Sequence, residues 1–166
     1  MIEQDFLAFS AEKLTQLSGR IQDCLGRLSS EQIWMRNNPN ENSVGNLVLH
    51  LCGNVGQWIG SGVGGKPDTR QRDAEFAARG NAELRDRLDT TISEATAIIR
   101  NLPIARLSEK IKVQKYDVTV MEAIYHVVEH FAQHSGQIIF ATKLLTGQDL
   151  GYYKHLNQAK HFETTP

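Results

Sequence analysis

Residues 126–138 read HVVEHFAQHSGQI. Three of the chain's six histidines, His126, His130 and His134, stand here at four-residue spacing. On a helix that spacing places side chains on one stripe, a turn apart. A histidine pair at i and i+4 can share one metal ion, the geometry used by HExxH helices. Phe131, not glutamate, follows His130, so the general base of that motif is missing. Turned at about 100° per residue, a helix over 119–145 gathers Ala123, Val127, Phe131, Ile138, Ala141 and Leu145 on one side. His134 lies about 40° from the centre of that side, His130 about 80° and His126 about 120°. His130 and His134 are therefore expected to point inward, with His126 at the boundary.

Two imidazoles hold a metal weakly, and an open site uses three protein ligands plus water. The best third ligand is His50, in NSVGNLVLHLCGNVGQW. It falls mid-helix on the flank of an apolar stripe. Asn46, Asn54 and Gln57 share that side, as the polar lining of a small hydrated pocket would. The competing reading needs no metal: each imidazole at the core edge finds its own hydrogen-bond partners. All-imidazole ligation suits zinc, nickel, copper or iron alike.

Four helices are expected to position these residues. Apolar residues recur at three- and four-residue steps over 4–28. Asn37-Asn38-Pro39-Asn40 marks a loop, and Ser43 is a good N-cap for a helix over 44–60. GSGVGGKPD breaks that helix. A long third helix over 69–101 is expected, with Gly80-Asn81 as an alternative start and Pro103 after its end. Residues 107–118 alternate partly and suit a hairpin or extended connection. The last helix, over 119–145, begins with Thr119 and Glu122 in capping-box positions and stops at Gly147. The tail, with Tyr152, Tyr153, His155 and His161, reads as irregular or a short helix. The expected fold is all-α: a four-helix bundle with a short hairpin or extended connection before the last long helix.

At 166 residues the chain suits one domain over 1–166. A net charge of −1 offers no electrostatic footprint for nucleic acid. No run approaches a membrane span, and the acidic start MIEQDFLAFS does not read as a secretory leader, so the cytoplasm is the expected compartment. Cys24 and Cys52 are expected as small buried hydrophobes rather than a disulfide. No Ser/His/Asp or cysteine nucleophile competes with the histidines. Lys66, Arg70 and Arg72 are expected on a solvated surface, and the apolar-rich first and third helices are candidates for a subunit interface.

NSVGNLVLHLCGN with a following Trp58, together with HVVEHFAQHSGQI, resembles the DinB-like (YfiT-type) superfamily, in a branch without an assigned function. The resemblance spans nearly the whole chain. It implies a four-helix bundle of up-down-down-up topology, often a homodimer. It implies a divalent metal, commonly nickel or zinc, held here by His50, His130 and His134, with His126 structural or supporting the ligands. Gln137 matches the family's GQI segment, in which Gly136 is expected to pack closely against another helix. Ser135 stands where many members have arginine. Some members resemble S-transferases that use a low-molecular-weight thiol such as bacillithiol or mycothiol. The function implied is a metal-dependent thiol S-transferase acting on small electrophiles. The alternative is a non-catalytic metal-binding stress-response or interaction module.

Overall fold

The computed structural model describes residues 1–80 and 83–157. Its first helix, α1 (Ile2–Arg27), buries Leu7, Ala11, Leu14, Leu17, Ile21 and Leu25, the stripe that its sequence spacing lays down. A single turn, α2 (Ser30–Trp34), follows, capped by Ser29. Helix α3 (Val44–Val55) starts at Ser43, whose hydroxyl accepts from the Asn46 amide. Nearly every residue of α3 is buried, so this short helix runs through the interior.

The expected helix over 44–60 changes character at Gly56. From Gly56 to Val63 the chain winds as a wider π-helix, which a run rich in glycine tolerates. There a Cβ on Gly62 would stand 2.5 Å from Val113 Cγ2, so the bare backbone lets a later strand lie against it.

The expected long helix over 69–101 is corrected by the structure. It is two elements: a short helix, α4 (Arg72–Ala77), and α5 (Leu84–Arg100). Gly80 between them has φ +140°, a backbone that cannot continue a helix. Asn81, the other half of the alternative start, lies outside the described residues. The separation leaves residues 66–80 as a strap across α3.

Strands β1 (Lys110–Val113) and β2 (Tyr116–Thr119) pair antiparallel as the expected hairpin, with Ile111 opposite Val118. Thr119 then caps α6 (Val120–Thr146), its hydroxyl accepting from the Glu122 amide while Glu122 reaches back. Gly147 ends α6 with φ +66°, as its sequence position suggested. The tail forms a short 3₁₀ turn, Lys154–Asn157; His161 lies outside the described residues.

The chain is mostly helical, with one small hairpin. Helix α1 packs on both α5 and α6, and α3 packs on the other side of that pair. Their apolar faces close one core around Leu14, Ile21, Leu51, Leu88, Ile124 and Phe131. Cys24 and Cys52 are both buried and free, as expected. Among the described residues no helix is long and apolar enough to cross a membrane.

Candidate metal centre

Helices α3 and α6 face each other with matched spacing. Along α3 and the turn after it, His50, Asn54 and Trp58 recur every four residues; along α6, His126, His130 and His134 do the same. One end of this seam gathers three imidazoles. His50 Nε2 lies 3.2 Å from His130 Nε2, and His130 Nε2 lies 3.2 Å from His134 Nε2. The three ligand atoms all fall within 4.8 Å of one another. A tetrahedral centre with metal–nitrogen bonds of about 2.0–2.1 Å needs ligand nitrogens about 3.3–3.4 Å apart. The two short separations suit such a centre.

The far sides of the rings support the same orientation. His134 Nδ1 is 2.6 Å from the Gln137 side-chain oxygen Oε1, one turn along α6. An amide oxygen only accepts, so Nδ1 carries the proton and Nε2 turns a lone pair to the cluster. His50 Nδ1 lies 3.1 Å from Glu75 Oε2, a carboxylate that can hold it in the same tautomer. His130 Nδ1 is buried with no partner among the described residues.

The charges favour neutral rings. Burial, then the neighbouring rings of His134, His50 and His126 and the Arg70 guanidinium, push His130 down to about 3. Burial also lowers His134, against the upward pull of its bond to Gln137. His126 is lowered by burial too, against Glu129. At neutral pH these three rings are therefore uncharged, the state a cation needs.

His126 stands at the other end of the seam. Its ring lies 4.3 Å from that of Trp58 and 5.6 Å from that of His130, so it walls the seam beside the cluster. A cavity of about 400 Å³ runs along this seam under the hairpin, lined by His50, Asn54, Trp58, His126 and His130. Asn54 thus lies where a pocket-lining residue should. Gln57 sits just beyond, accepting from Arg70 at 2.9 Å and from Gln114 at 2.8 Å and donating to Asp68 at 2.7 Å. Asn46 is placed differently. Its amide donates to the backbone carbonyls of Glu75 (2.8 Å) and Ala78 (3.0 Å), so it anchors the strap.

The strap carries what the sequence reading missed. Glu75 and Arg70 have side chains only 6% and 5% exposed and form a two-pronged ion pair, 2.8 and 3.0 Å. Burial opposes the charge on Glu75, but hydrogen bonds from His50 and Arg70 outweigh it and hold the carboxyl below its ordinary range. The expectation that Arg70 is solvated is wrong, because Glu75 and Gln57 draw it inward. Lys66 and Arg72 are exposed as expected. The one available signal for Glu75 was Gly53, three residues after His50: a Cβ there would stand 1.9 Å from Glu75 Oε1. Gly136, expected to pack closely, has nothing within 4 Å of where its Cβ would be and faces outward from α6.

Residues 1–159 match the family described as "Protein of unknown function (DUF1572)", and the chain belongs to that family. Among solved structures it is similar to the crystal structure, at 2.30 Å, of a DinB-like protein, YjoA, from Bacillus subtilis. The TM-score is 0.65 over 88% of this chain and 94% of that one, at 14% identity, so the likeness is one of fold. No curated protein sequence matches the chain.

Proposed function

We propose that this member of the DUF1572 family binds one divalent transition metal, zinc or nickel, through His50, His130 and His134. The observation that carries this reading is the convergence of three imidazole Nε2 atoms, two of them turned inward by acceptors behind the rings. The DinB-like fold supports it as well. We further propose a single domain, a four-helix bundle of up-down-down-up topology in which α1, α3, α5 and α6 are the four members, working in the cytoplasm.

The catalytic reading is a metal-dependent S-transferase that joins a low-molecular-weight thiol to a small electrophile. The ion would supply a Lewis acid that lowers the pKa of a thiol in its open position. The chain supplies the rest. Neutral His130 and His134 leave the positive charge of the site unshared. Gln137 and Glu75 orient two of the rings. His126 and Trp58 wall the adjoining cavity, where the roughly 400 Å³ of space suits a small substrate. In the second reading the same histidines hold a metal in a non-catalytic module, and the cavity has no substrate.

Cobalt(II)-loaded protein separates these readings. In the catalytic reading, adding a low-molecular-weight thiol produces a thiolate-to-cobalt absorption band, and zinc-loaded protein then consumes a small haloaromatic electrophile faster than thiol alone. No band and no acceleration, in protein with a full complement of metal, would leave the non-catalytic module.

A further inference from the structure

His50 Nδ1 has two close partners that ask opposite things of it. Glu75 Oε2, at 3.1 Å, can only accept a proton; Arg70 Nη2, also at 3.1 Å, can only donate one. With its proton on Nδ1, His50 donates to Glu75 and presents a bare Nε2 to the cluster. With its proton on Nε2, it accepts from Arg70 at Nδ1, and its Nε2–H meets His130 Nε2 at 3.2 Å. In either tautomer the buried Nδ1 keeps a hydrogen-bond partner. Only the first offers a lone pair to a cation.

The two partners arrive together on the strap. They are ion-paired to each other and seated over the bare backbone of Gly53. Three further contacts hold the seat. The Asn46 amide grips the carbonyls of Glu75 and Ala78, Arg36 donates to the Phe76 carbonyl at 2.6 Å, and the Phe76 ring lies 4.8 Å from the His50 ring.

We propose that Arg70 and Glu75 select the tautomer of His50. Glu75 is a positioning residue that holds the ring ready for a metal, Arg70 holds the metal-free alternative, and loading the ion is coupled to docking of the strap. This rests on the metal-binding reading above. The coupling is reciprocal: a strap that favours the metal-ready ring is itself held down by the metal.

The test uses the full chain with zinc as the probe and a competing chelator to read affinity. Glu75→Gln keeps the side chain's shape but removes its charge and adds a donor, and is expected to weaken zinc binding about 10- to 100-fold. Arg70→Met removes the competing donor and a nearby positive charge, and is expected to tighten it severalfold. Gly53→Ala alters no polar residue yet displaces Glu75, and is expected to weaken zinc about tenfold even though alanine favours the helix. In wild type, zinc should slow protease cleavage within residues 64–72, and in Gly53→Ala it should not. Long-range proton–nitrogen spectra of the metal-free protein should show a population of His50 with its proton on Nε2, which zinc abolishes.

A merely structural ion pair would lower stability in both Glu75→Gln and Arg70→Met and shift zinc affinity in neither, or in the same direction in both. Either result overturns the proposal, as does His50 held wholly with its proton on Nδ1 before zinc is added. Failure of the underlying metal reading looks different: wild type takes up no zinc, or His130→Ala takes up as much as wild type.

Discussion

His130 is the most constrained residue of the site, and its burial has a consequence for the metal-free protein. Its pKa lies near 3 in the fold against an ordinary 6.5. Between those values the unfolded chain binds a proton that the folded chain refuses, so stability falls as the pH drops through that window and levels off above it. Chemical denaturation of metal-free protein from pH 7.5 to 4 should show this decline, and His130→Ala should flatten its slope. A slope unchanged in the variant would remove His130 as its source. His130 and His134 were legible as a pair because four-residue spacing on a helix dictates which side chains share a stripe, whereas His50 was legible as their partner from its place on the flank of another helix's apolar stripe and from the family resemblance. Glu75 and Arg70 were not legible, because they reach His50 from a short helix and the loop before it, too brief for any periodicity to show which side chains turn inward.

Among the elements, those whose ends carry local chemistry were the easiest to read. Ser43, Thr119 with Glu122, and Gly147 each mark a helix boundary by hydrogen bonds or by a left-handed backbone, which act within a few residues. The hairpin followed from β-branched alternation. The widened π turn was not legible, because it depends on what the chain packs against; the break between α4 and α5 was legible only as the alternative start at Gly80-Asn81. The Thr119 cap also sits where the hairpin roof joins α6, so Thr119→Ala should cost about 1 kcal/mol of stability by denaturant titration. A loss below about 0.3 kcal/mol would mean that the cap is redundant there.

At the scale of the molecule, the apolar stripes of α1 and α5 are committed to the core. The outward face of α6 carries four exposed apolar side chains, Met121, Tyr125, Phe140 and Leu144, at 49%, 65%, 64% and 69% exposed. We propose that a second copy of the chain packs against this face of α6. Four such side chains offer on the order of 400–500 Å² per copy, enough for a symmetric pair to approach the size of a specific interface. Light scattering after size exclusion should report a dimer for wild type and a monomer for Phe140→Glu; a monomeric wild type would refute the face. The metal centre lies on the inward side of the same helix, so each copy would keep its own site. Elemental mass spectrometry of untagged protein, reconstituted with zinc or nickel and desalted, tests the metal centre most directly. The result predicted is close to one ion per chain in wild type, lost in His50→Ala, His130→Ala and His134→Ala and kept in His126→Ala. A wild-type protein that retains no metal, or three variants that retain as much as wild type, would contradict it and leave the imidazoles as hydrogen-bonded residues of an ordinary helical core.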